Sequence, residues 1–189
     1  MRRIALSVLA IAVAASAWAG PKETVHDAFV KFLAAKSFRA TVTDAKSGEP
    51  LSQMEFVAPD RYHLHGGKAG MDTIIVGDDA WMDMHGQLMK MPIPVGKLIG
   101  QYRNEGTLRQ MESGITVTEL GADSMAGEPA HAYHYTVTEP AKADVKLWIG
   151  DKTGMPLQIE SQGSFMGRES TARIHYSDFN DPSISIATP

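Results

Sequence analysis

No cysteine occurs among the 189 residues, so the chain has no disulfide framework, no thiolate nucleophile and no thiolate metal ligand, and its core must hold it together. Its 22 acidic residues outnumber 18 Lys and Arg for a net charge of −4, and no basic run interrupts that balance, which argues against nucleic acid as a partner. With 43% hydrophobic residues and a length within the range of one domain, the chain can bury a sizeable core.

Arg2 and Arg3 precede an apolar run from Ile4 to Ala15, and the small-residue site Ala17-Trp18-Ala19 follows. This layout predicts a bacterial secretory signal, residues 1–19, cleaved after Ala19. The run is shorter than the roughly 20 residues a bilayer span needs, and no later stretch qualifies as a transmembrane helix. Residues 20–189 then form one exported, more acidic domain in the periplasm. It is not expected to be a lipoprotein, because no Cys stands at the cleavage site to take an acyl chain.

From Lys22 to Lys36, Val25, Ala28, Phe29, Phe32 and Leu33 recur at intervals of three and four. That is the stripe of one amphipathic helix, packing Phe29, Phe32 and Leu33 on a sheet. Period-two alternation then takes over. Ser37 to Ala45 sets Phe38, Ala40 and Val42 against Arg39, Thr41 and Thr43, and Ser47-Gly48-Glu49-Pro50 supplies a turn. Leu51 to Ala58 places Met54 and Phe56 on one face. Pro59-Asp60 breaks that strand, and Arg61 to His65 puts Tyr62 and Leu64 opposite Arg61, His63 and His65. After Gly66-Gly67, Met71 to Val76, which ends in the apolar run Ile74-Ile75-Val76, suits a central strand.

Gly77 to Pro94, GDDAWMDMHGQLMKMPIP, reads as a hairpin. With Gly86-Gln87 as a two-residue type II′ turn, Met84 pairs with Met89 and Met82 with Met91, so four thioethers share one face. The other face carries Trp81, with Asp83 across from Lys90, and His85 points away from the Met face. Three readings of that face stand: core packing, the wall of an adaptable apolar cavity, or a soft-donor Cu(I) site. Pro92-Ile93-Pro94 ends the ladder. Val95, Leu98, Ile99 and Tyr102 then recur at helical spacing, predicting a short helix or lid over Val95 to Arg103. Ile115 to Leu120, Ala130 to Thr138, Val145 to Ile149, Leu157 to Gly163 and Ser170 to Tyr176 alternate again. The fold class is α+β: a strongly curved antiparallel sheet of about ten strands, a half-barrel, with an N-terminal and a short central helix covering its concave face. Incomplete filling of that concavity leaves a hydrophobic cavity.

The order of several short segments resembles the periplasmic lipoprotein-carrier superfamily, the half-barrel proteins of the LolA, LolB and LppX type. The segments are Phe56 with Pro59-Asp60-Arg61-Tyr62, Gly77-Asp78-Asp79-Ala80-Trp81 with its hairpin, Asp151-Lys152-Thr153-Gly154-Met155-Pro156-Leu157, and Tyr176-Ser177-Asp178-Phe179-Asn180. The resemblance implies a cavity between sheet and helices that holds acyl chains or other apolar groups, and it does not imply catalysis.

The residues agree with that implication. There is no G-x-S-x-G elbow, phosphate loop or zinc spacing, and carboxylates such as Glu55 and Asp78-Asp79 fall on turns or polar faces, so no enzyme and no cofactor is expected. His63 and His65 reach one metal only if a third ligand approaches, and they read as solvated histidines, with no metal site assigned. His131 and His134 fall on opposite strand faces. The expected function is a periplasmic carrier of a lipid, acyl chain or other hydrophobic small molecule. Met54, Phe56, Tyr62, Leu64, Met82, Met84, Met89 and Met91 are its ligand-binding positions, with Leu98 and Ile99 in a lid. The alternatives are a Cu(I)-binding protein using the Met hairpin, and an envelope sensor or interaction module with a protein partner.

Overall fold

The computed structural model describes residues 20–66, 71–84, 86–101, 103–138, 142–165 and 168–189, so the predicted signal segment, His85 and Tyr102 lie outside the described residues. Helix α1 (Pro21–Leu33) opens with Pro at its first position and Glu23 in its first turn, both suited to a helix N-terminus, and buries Val25 and Ala28. It stops short of the expected Lys36. There the backbone is already captured by the C-terminal segment: Lys36 N donates to Asn180 Oδ1 (2.7 Å) and Asn180 N to Ser37 O (2.8 Å).

Eleven strands follow, against the ten or so expected: β1 (Ser37–Asp44), β2 (Pro50–Val57), β3 (Arg61–Gly66), β4 (Asp72–Val76), β5 (Asp79–Met84), β6 (Gln87–Lys90), β7 (Thr118–Met125), β8 (Glu128–Val137), β9 (Ala143–Gly150), β10 (Pro156–Phe165) and β11 (Arg168–Ser177). They form one antiparallel sheet in the order β6-β5-β4-β3-β2-β1-β11-β10-β9-β8-β7. The first and last strands in sequence therefore meet in the middle, from Arg39 opposite Ser177 to Asp44 opposite Ala172, and hairpins run outward to both edges. The segment Met71 to Val76, apolar only at Met71 and from Ile74 to Val76, supplies β4, third from one edge rather than central.

Alternation assigns the faces. Phe38 and Ala40 of β1, Phe56 of β2, Tyr62 of β3, Ile75 of β4 and Ala80 of β5 form one buried cluster under Phe32 of α1. On the other half of the same face, Tyr133 and Tyr135 of β8 and Val145, Leu147 and Ile149 of β9 form a second, against Val25 and Ala28. A smaller cluster of Ala130, Ala132, Trp148 and Leu157 includes the opposite face.

Two short helices lie between β6 and β7 where one was expected. Helix α2 (Val95–Gly100) packs over β4 and β5 with Val95 and Ile99 against the first cluster. Gly96 approaches the Gly77 carbonyl so closely that a Cβ there would collide with it. Helix α3 (Glu105–Glu112) was not foreseen; Asn104 caps it, its Oδ1 accepting from Thr107 N at 2.9 Å. The expected strand at Ile115 begins only at Thr118, because Ile115 and Val117 turn into the second cluster first.

The hairpin register also differs. Met84 lies opposite Gln87, Asp83 opposite Leu88, Met82 opposite Met89 and Trp81 opposite Lys90. The pairs Met84–Met89, Met82–Met91 and Asp83–Lys90 are not formed. Asp83 caps the turn instead, its Oδ1 accepting from Gly86 N at 2.6 Å, and Gly86 takes a φ of 86° that favours glycine. Lys90 pairs with Asp79 at 2.7 Å, above the Trp81 ring. The slide is by two residues, so facing is preserved: Met82, Met84, Met89 and Met91 still share one face.

Two outcomes follow from this packing. Phe38→Ala is expected to cost about 3–5 kcal/mol in denaturant unfolding, whereas Met89→Ala, at an exposed edge, should stay within about 0.5 kcal/mol. Asp123 accepts from Trp148 Nε1 at 2.8 Å, and chiefly this bond holds its carboxyl below the usual range. The stabilisation is then present above the unfolded value of about 3.9 and lost as pH falls through the lower folded value. Asp123→Asn should flatten that acid loss in unfolding curves taken between pH 6 and pH 3.

Candidate functional site

The helix stripe read from the sequence leaves one side unsealed. Phe29, Phe32 and Leu33 of α1 face Leu108 of α3, Ile115, and Tyr135 and Val137 of β8 across an apolar cavity of about 200 Å³. The Asn104 cap sets the start of α3, so Leu108 and Glu112, four residues apart, fall on one side of it. The volume exceeds the roughly 150 Å³ at which an apolar cavity stays dry and takes up benzene.

Two polar groups break the apolar lining. Arg103, in the link between α2 and α3, lays its guanidinium 4.1 Å from the Phe56 ring centroid, with Phe32 at 5.3 Å and Phe38 at 5.7 Å. Its Nη2 donates to the Leu33 carbonyl at 3.4 Å, and among the described residues no carboxylate pairs with it. Burial lowers its pKa, opposed by Tyr62 and Tyr176, yet an arginine remains charged. Burial in turn pushes the Tyr176 phenol up to about 12 and the Tyr135 phenol further still. The second group is Glu112. Its Oε2 lies 2.8 Å from His26 Nδ1, while its buried Oε1 has no hydrogen-bond partner among the described residues.

Arg103 is only partly buried, and its cation–π contacts, worth about 0.5–2 kcal/mol each, engage ring faces and leave guanidinium N–H groups that can take an anion. Among the described residues, the cavity presents one donor group without an anionic partner and one acceptor without a donor.

None of the ten sequence-derived positions lines this cavity. Phe56 and Tyr62 lie beneath Arg103, their rings 5.1 Å apart. Met54 and Leu64, opposite one another on β2 and β3, pack with Ile99 and Met91 against the first cluster. Met82 is half-buried, while Met84, Met89 and Leu98 are 45%, 55% and 50% exposed at the rim. The structure thus gathers six of the ten in the packed half of the concave face and leaves the hairpin methionines divided between core and solvent. Arg103, Leu108 and Glu112 were missed. Their signal was faint: an Asn104-x-x-Thr107 cap and a Glu105–Arg109 pair at i,i+4 spacing.

No protein-family model and no curated protein sequence matches the chain. Among solved structures it is similar to the lipoprotein LppX of Mycobacterium tuberculosis, with a TM-score of 0.66 at 11% identity over 86% of this chain and 96% of that one. It is similar also to LprF of Mycobacterium bovis, with a TM-score of 0.64 at 12% identity over 89% of this chain and 96% of that one. No helix among the described residues is long and apolar enough to cross a membrane. The unclosed sheet, its helix-covered face and these two likenesses give the chain an LppX-like half-barrel fold.

Proposed function

We propose that residues 20–189, after removal of a signal peptide ending at Ala19, act as a periplasmic carrier of an amphiphile. Its apolar part occupies the cavity between α1, α3 and β8, and its polar end meets Arg103. The observation that carries this reading is a guanidinium that no carboxylate among the described residues pairs with, in the wall of a largely apolar cavity. Glu112 Oε1, short of a donor, favours a polar end that also bears a hydroxyl or amine.

Magnitudes explain why both halves of such a ligand matter. Each buried CH₂ contributes about 0.8 kcal/mol, so eight give about 6 kcal/mol. Association itself costs about 4–15 kcal/mol. An alkyl chain of that length is therefore near the threshold of binding, and a charge-assisted hydrogen bond of about 1.5–3 kcal/mol decides the outcome.

Displacement of a fluorescent fatty acid tests the reading. Arg103→Met is expected to weaken a fatty acid roughly 10- to 100-fold and to change the fatty alcohol of equal length by less than about 3-fold. Equal loss for both would remove the assignment of the polar end. Leu108→Trp, which fills the cavity, should weaken both ligands at least about 10-fold, while replacement of Met84 and Met89 together by Ser should cost less than that. Unchanged affinity in Leu108→Trp would place the ligand elsewhere.

A further inference from the structure

We infer that His63, His65 and Asp72 form a binding site for a borderline divalent metal ion of the Zn²⁺ or Cu²⁺ kind, on the sheet face opposite the apolar cavity. The strand pleat creates it. Tyr62 and Leu64 turn into the core, so His63 and His65 project together from the other side of β3, their ring centroids 4.0 Å apart. Antiparallel pairing with β4 then sets Asp72 directly opposite His65.

The donor atoms converge. Asp72 Oδ1 is 2.9 Å from His65 Nδ1, and Asp72 Oδ2 is 3.6 Å from His63 Nε2. One atom from each of the three side chains lies within 4.8 Å of the other two. Around a tetrahedral ion with bonds of about 2.0–2.1 Å, donors stand about 3.3 Å apart, and one donor atom from each side chain already lies within 4.8 Å of the others, so small side-chain rotations suffice to reach that spacing.

A simple ion pair does not account for the arrangement. His26 with Glu112, His131 with Asp151 and His134 with Asp144 each join one imidazole to one carboxylate. Among the described residues, only here do two imidazoles share a carboxylate. The second is beyond hydrogen-bond distance, as expected of a group whose partner is not the carboxylate itself. Glu55, opposite His63 on β2, is already held by Arg39 at 2.9 Å and adds no fourth ligand. The site therefore offers two nitrogens, one carboxylate and at least one position for water. That donor set suits Zn²⁺, Cu²⁺ or Ni²⁺ and disfavours Mg²⁺ and Ca²⁺, which prefer all-oxygen shells. All three side chains are partly exposed, so an ion can enter from solvent.

The test is calorimetric titration of Zn²⁺ into the untagged, chelator-stripped exported chain at pH 7.5. One ion per chain is expected to bind, and zinc should raise the thermal unfolding midpoint by ligand linkage. His63→Gln and His65→Gln should each weaken binding at least about 100-fold, beyond the usual loss on removing a group that only orients a ligand. Both variants should unfold at the wild-type temperature without zinc, since neither residue belongs to the core. His131→Gln with His134→Gln should bind as wild type. The inference is overturned if wild type shows no saturable binding, or if affinity survives in His63→Gln with His65→Gln but falls in the His131 and His134 variant.

Discussion

The fold depends on the burial of Phe38. Its ring sits 4.8 Å from Phe32 of α1, 5.0 Å from Phe56 of β2, 5.8 Å from Tyr176 of β11 and 6.0 Å from Phe179 beyond it. One side chain thus joins the helix, the two strands flanking β1 and the C-terminal segment. A slip of β1 by one residue would send Arg39 into this cluster and Phe38 into water, reversing every neighbouring pair. The middle of the sheet is where the chain's two ends meet, so both outward series of hairpins take their facing from this point.

The same rings carry Arg103, which makes the core and the site one structure. On one side of the guanidinium the concavity is filled: α2 presses Val95 and Ile99 onto the sheet, and the absence of a side chain at Gly96 allows that approach. On the other side, α3 brings Leu108 as its apolar contact with the cavity and Glu112 as its polar one. A helix so sparsely apolar cannot seal the space beneath it. The cavity is the consequence of that shortage, and its position follows from where the Asn104 cap begins the helix.

Much of this was legible in the sequence because strands report their facing through a period of two. The pattern of Phe38, Ala40, Phe56 and Tyr62 located the concave core, and the three-and-four spacing of Val25, Ala28, Phe29 and Phe32 located α1. Even the hairpin with the wrong partners kept its Met residues on one face, since a two-residue slide leaves parity intact. What remained hidden needed tertiary information. A helix with few apolar residues has weak periodicity, which concealed α3. Arg103 acquires meaning only when Phe56 and Phe32 close around it. The third member of the His63 and His65 group lies on a neighbouring strand, where only the register of β3 with β4 identifies it.

The central claim is that the cavity beside Arg103 holds the apolar part of an amphiphile. Native mass spectrometry of the protein isolated from its native cells, followed by organic extraction of the same sample, tests this most directly. The account predicts a bound mass that extracts as a molecule with an alkyl or acyl portion and a polar end, and that is lost from Leu108→Trp. A mass equal to the bare chain from gently isolated wild type, with no extractable amphiphile, would contradict it.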